Sequence, residues 1–137
     1  MKRFVYLTLD VVLAIHDDMV ERYGGSFGIR DLGLIQSAVA RPQASFGGED
    51  LYPTVLNKAA ALFHSLIFNH AFMDGNKRTS ITATARFLYI NGYELTAEKE
   101  EFVAFPLRVE NKHLSLEEIA KWIEGHVKRI KSKVNFC

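Results

Sequence analysis

His70-Ala71-Phe72-Met73-Asp74-Gly75-Asn76-Lys77-Arg78-Thr79 is the stretch on which the reading of this chain turns, because a helical pattern runs into it and another runs out of it. Upstream, Leu56, Ala60, Phe63, Ile67 and His70 are spaced by four, three, four and three residues, which places them on one helical face. Thr54 stands ready to cap that helix, and His70 is expected to end its core-facing stripe. Downstream, a second helix is expected to start near Gly75 and to run through Ile81, Ala85 and Leu88 to a stop at Asn91-Gly92, with Asp74 in the capping position. The segment thus spans a helix end, a tight loop and a helix start.

The outer elements are helical as well. Thr8 can cap a helix carrying Leu9, Val12, Leu13, Ile15, Met19 and Val20, which Gly24-Gly25 stops. Asp31 can cap a shorter one with Leu34, Ile35, Ala38 and Val39, ended by Pro42. Residues Gln43 to Tyr52 lack a helical period and read as a flap loop or small hairpin with Gly47-Gly48 at its tip. Thr96 is a cap for a helix through Phe102 and Val103 to about Leu107, disturbed by Pro106. Ser115 and Glu118 form a capping box, and Leu116, Ile119, Ile123, Val127 and Ile130 make a final apolar stripe beside Trp122. The basic residues after Val127 read as cations at a helix C-terminus, where the macrodipole favours them. The expected fold is all-α, a compact single-domain bundle of about six helices over residues 1–137, with the flap before the motif helix.

Composition narrows the function classes. With 17 Lys and Arg against 16 Asp and Glu, the net charge of +1 provides no global field for nucleic acid or an anionic membrane. Any electropositive site must be local. The one cysteine, Cys137, excludes an internal disulfide framework and fits a cytoplasmic protein. Lys2-Arg3 before an apolar stretch resembles the start of a signal peptide, but Asp10 breaks the stretch and no small-residue cleavage site follows, so a folded segment is expected. No stretch approaches a membrane span.

The motif carries its own chemistry. Free backbone N–H groups at the start of a helix meet the positive end of its dipole, and such an end binds anions. Gly75 allows close approach, Asn76 can add side-chain donors, and Lys77 and Arg78 bring charge for several phosphate oxygens. A polyphosphate brings a divalent cation, and Asp74 is placed to hold Mg²⁺ as well as to cap the helix. His70 can accept a proton from an attacking hydroxyl. Phe72 is expected to pack the loop onto the core. His64, six residues before His70, faces elsewhere on the helix, so the two make no metal clamp. His16-Asp17 lacks the second His and Asp pair that a metal-dependent hydrolase would need, and His113 and His126 take no role.

At these residues the chain resembles the Fic and Doc superfamily, whose signature is His-x-Phe-x-Asp/Glu-Gly-Asn-Gly-Arg. His70, Phe72, Asp74, Gly75, Asn76 and Arg78 agree with it, whereas Lys77 replaces the second glycine, as in the Doc, or death-on-curing, branch. Ile15-His16-Asp17, Tyr23-Gly24-Gly25 and Gly28-Ile29-Arg30-Asp31 also look Doc-like. The wider family's resemblance implies transfer of AMP from ATP to a protein hydroxyl. The Doc branch implies transfer of the terminal phosphate, with the nucleotide reversed, and Lys77 fills space that glycine leaves open. Ile81 stands where adenylylating members often carry a second arginine, and there is no Ser/Thr-x-x-x-Glu-Gly/Asn inhibitory helix.

The resemblance therefore implies the toxin of a type II toxin-antitoxin system. Such a kinase would use ATP and Mg²⁺ to phosphorylate a hydroxyl of elongation factor Tu and so inhibit translation, and a cognate antitoxin would restrain it. His70 would be the general base, Asp74 the metal ligand, and Gly75, Asn76, Lys77 and Arg78 the phosphate cradle. The flap from Ser45 to Tyr52 would hold the target peptide by edge pairing. The alternatives are a Fic-type adenylyltransferase and a non-catalytic module that uses the anion nest to hold a nucleotide or phosphopeptide.

Overall fold

A computed structural model describes residues 3–130, and among them lie six α-helices and two small antiparallel sheets. Helix α1 spans Leu9–Tyr23, α2 Leu32–Ala40, α3 Val55–Phe68, α4 Asn76–Ile90, α5 Lys99–Lys112 and α6 Leu116–Glu124. The helical bundle expected from the sequence is the fold observed. Cys137 and the last basic residues lie outside the described part.

Four helices start where the sequence places a cap. The side chains of Thr8, Asp31, Thr54 and Ser115 accept from backbone N–H groups of Val11, Leu34, Asn57 and Glu118, and the Glu118 side chain completes the capping box. The α1 chain turns out at Gly24, whose φ of +91° a side chain would disfavour. Helix α2 passes into a 3₁₀ turn, Arg41–Gln43, at Pro42.

Helix α3 is the central element, buried from Lys58 to Ile67 on most of its circumference and packed by α2, α4 and α6. Phe63 meets the edge of Phe105 from α5, and Phe105 stacks on Trp122 from α6 with centroids 3.8 Å apart. Glu101 accepts from Arg108 and from the Trp122 indole, and these bonds, that of Arg108 above all, hold its carboxyl below the usual range. The α5 to α6 corner is thereby locked to the core under α3.

The flap is a hairpin, with β1, Ser45–Phe46, paired to β2, Glu49–Asp50, around Gly47-Gly48. Its stem is anchored by Lys58, a fully buried lysine of α3 whose Nζ donates to the Pro42 carbonyl at 3.0 Å and to Asp50 at 3.1 Å. Phe46 at the tip is 82% exposed.

Three local expectations are corrected. The stripe of α3 stops at Ile67, because the helix ends at Phe68 and His70 follows it with φ +48°, so its side chain does not continue the buried face. Helix α5 begins at Lys99 with Glu98 as its N-cap and runs past Pro106 to Lys112, while Thr96 instead donates its hydroxyl to the His126 carbonyl. Pro106 is tolerated inside the helix and is buried. The final stripe is also divided. Gly125 ends α6, and Val127 belongs to β4, Val127–Arg129, which pairs with β3, Tyr93–Leu95. Lys128 and Arg129 are therefore strand residues facing Glu94 and the Tyr93 ring, not cations at a helix end. Ladder bonds to the strand after α4 outweigh the helical period of two apolar residues.

Candidate active site

The ten-residue motif folds as a loop held from three sides. From below, His16 of α1 donates from Nε2 to the Asp74 carbonyl at 2.7 Å, and its ring lies flat on Phe72 with centroids 3.8 Å apart. From the side, the segment after α1 pairs with the loop. Arg30 and Asp31 donate to the Ala71 carbonyl, Met73 donates to the Gly28 carbonyl, and Ile29 forms an isolated bridge with Phe72. Within the loop, the Asn76 amide closes a ring on Phe72: Oδ1 accepts from its N–H at 3.1 Å and Nδ2 donates to its carbonyl at 2.9 Å. Phe72 is thus the packed plug that the sequence implies.

These contacts decide what α4 offers to solvent. Its N-cap is Gly75, at φ +78°, and no side chain accepts from the first turn. Asp74 does not cap it. The Asp74 carboxylate points the other way, with Oδ2 accepting from the Ser26 N–H at 2.9 Å, and Gly25 packs so close that an added Cβ would sit 3.2 Å from that of Asp74. The Asn76 amide is committed to Phe72, so what Asn76 presents to an anion is its backbone N–H. With Lys77 and Arg78 it forms an uncapped first turn at the positive end of the helix dipole.

Asp74, Gly75, Asn76, Lys77 and Arg78 all line one cleft of about 940 Å³. The rest of its lining is mostly apolar, with Met19 from α1, Ile81 from α4 and Phe102, Val103, Pro106 and Leu107 from α5, beside the polar Thr82 and Lys99. Such a volume fits a nucleotide-sized ligand. The Arg78 guanidinium lies 4.2 Å over the Tyr23 ring and makes no ion pair among the described residues, so its N–H groups stay available. Lys77 does have a partner, Glu110 of α5, at 3.1 Å.

His70 is not part of the cleft lining. Its imidazole, half exposed, reaches the site through the same residue: Nε2 lies 3.2 Å from Glu110 Oε2. Sequence reasoning gave no role to His16, Ser26, Tyr23 or Glu110. His16 does carry a local signal, since it shares the buried face of α1 with Val12, Met19 and Val20. Glu110 carries none, being 33 residues from Lys77 on a separate helix.

The donor set suits a magnesium ion brought by phosphates. No group of three or more His, Cys, Asp or Glu able to cage a metal exists among the described residues. Asp74 supplies one hard carboxylate whose Oδ1 has no hydrogen-bond partner among them, and Mg²⁺ typically takes one or two carboxylates plus phosphate oxygens and water.

The Fic/DOC family model matches the chain over residues 6–88, a span that contains this loop and the start of α4. The chain belongs to the Fic/DOC family. Among family proteins it is similar to "Toxin Doc" of Mycolicibacterium smegmatis, with 54% identity over 76 residues, 56% of this chain and 58% of that protein. It is also similar to "Protein kinase doc" of Escherichia phage P1, with 29% identity over 90 residues, 66% of this chain and 71% of that protein. The chain spans somewhat more than half the length of the first of these relatives. The Fic/DOC match ends within α4, so α5, with Glu110 and much of the apolar wall, lies beyond it. No helix among the described residues is long and apolar enough to cross a membrane.

Proposed function

We propose that this Fic/DOC chain is a toxin of the Doc type, a protein kinase that moves the γ-phosphate of ATP to a hydroxyl of a translation factor. The observation that carries the reading is the uncapped N-terminus of α4, opening into a nucleotide-sized cleft between Lys77 and Arg78. The two relatives, named a toxin and a protein kinase, support the same class.

In this reading the target hydroxyl oxygen attacks the γ-phosphorus as the bond to the bridging β–γ oxygen breaks, ADP leaves, and His70 takes the hydroxyl proton. The backbone N–H groups of the first α4 turn, with Lys77 and Arg78, hold the phosphate oxygens. Asp74 would hold Mg²⁺, which neutralises charge developing on the phosphates. The flap from Ser45 to Tyr52 presents a hairpin edge on which an extended target peptide can pair, and elongation factor Tu is the target that the Doc resemblance implies. A cognate antitoxin would cover the apolar wall of the cleft and exclude ATP with it.

Expression of the chain in a bacterial host, with and without His70→Ala, tests the reading. The account expects growth arrest and a phosphorylated translation factor, seen by intact-protein mass spectrometry, only with His70 present. Arrest that persists with His70→Ala, with no modified factor, would instead support a non-catalytic binding module.

A further inference from the structure

Glu110 belongs to α5, outside the motif and beyond the residues that the family model matches, yet its carboxylate bridges two motif side chains. Oε2 stands 3.2 Å from His70 Nε2 and Oε1 stands 3.1 Å from Lys77 Nζ, so each oxygen takes one partner. Among the described residues no hydrogen bond orients the imidazole, and the Glu110 carboxylate is its ion-pair partner. His70 itself lies past the end of α3 in a left-handed backbone conformation.

We propose that Glu110 is a positioning residue for phosphoryl transfer, holding the His70 imidazole and the Lys77 ammonium in fixed relation so that proton acceptor and phosphate-binding cation serve one substrate. The proposal rests on the reading of His70 as the general base. Carboxylates are known in both halves of this role: one orients the histidine of a hydrolytic triad, and another orients the phosphate-binding lysine of a protein kinase. Here a single carboxylate does both, and it ties His70, which does not line the cleft, to Lys77, which does. The His70 and Lys77 side chains are 45% and 47% exposed, so the bridge adds little to stability and its contribution is to orientation.

The test uses the full chain, Glu110→Ala and Glu110→Gln, each also in a His70→Ala background. Unfolding midpoints are expected to stay close to the parent. The kcat for γ-phosphate transfer should fall about tenfold in Glu110→Ala, and less in Glu110→Gln, while the KM for ATP moves by less than about threefold. The His70→Ala background, expected to transfer no phosphate, sets the zero of the assay, and the ¹⁵N shifts of the His70 ring should change in Glu110→Ala. Unchanged ring shifts, an unchanged kcat, or a lower KM with kcat intact, which would make Glu110 a competitor of the phosphates, would each overturn the proposal. A parent chain that transfers no γ-phosphate would overturn the functional reading, and the His70 ring spectrum would then decide by itself whether Glu110 holds the imidazole.

Discussion

His16 donates a 2.7 Å hydrogen bond from Nε2 to the main-chain carbonyl of Asp74, 58 residues along the chain. The bond joins the first helix to the motif loop at the residue proposed to hold Mg²⁺, and the stacked Phe72 makes the same imidazole a packing surface. His16→Ala would open a cavity under the loop and take away the side-chain partner of the Asp74 carbonyl. A loss of about 2 to 4 kcal/mol is expected from urea unfolding, with weaker ATP binding because the loop is no longer held.

Asn76→Ala and Asn76→Asp separate the structural use of Asn76 from the electrostatics of the nest. The first removes both bonds to Phe72 and should cost about 1 to 3 kcal/mol. The second keeps the acceptor for the Phe72 N–H and adds a negative charge that the helix N-terminus favours, so stability should fall less. That charge stands where phosphates are expected, so ATP affinity, read by calorimetry, should nevertheless fall more in Asn76→Asp.

Gly75→Ala tests the turn into α4. An added Cβ would meet the His16 ring at 3.5 Å, an ordinary contact, so the cost comes from the φ of +78°. About 1 to 2 kcal/mol of destabilisation is expected by thermal unfolding.

The base of the flap is expected to be sensitive to acid. Burial, and secondarily the Arg41 charge beside it, holds the His64 imidazole below the ordinary histidine range. The neutral ring lies 3.1 Å from Arg41, which also donates to Tyr52 and Ser65. A group with a lowered folded value binds fewer protons folded than unfolded, so its contribution is present above the ordinary value and is lost as pH falls through the folded one. Melting temperature should therefore drop more between about pH 7.5 and about pH 5.5 in the parent than in His64→Gln. Equal drops in the two proteins would remove His64 as the cause.

Much of the fold was legible because its signals are local. Thr8, Asp31, Thr54 and Ser115 each cap the helix that follows within three residues, and Gly47-Gly48 turns the flap where the helical period is missing. Position within the site was less legible. Asp74 has the chemistry of a cap, but its carboxylate is taken by Ser26, 48 residues away. His70 fits the apolar period of α3, but the helix has already ended and its ring turns to Glu110 on another helix. Val127 and Ile130 fit the period of α6, but the chain pairs with residues after α4 instead. In each case a partner distant in sequence overrode a local pattern, which no spacing rule records.

The central claim is that the terminal phosphate of ATP is what moves. Incubating the chain with candidate translation factors and ATP labelled at the α or the γ phosphate, with His70→Ala as control, measures it directly. The account predicts γ label on the factor, no α label, and neither with His70→Ala. Transfer of α label to the factor would contradict it and make the chain an adenylyltransferase.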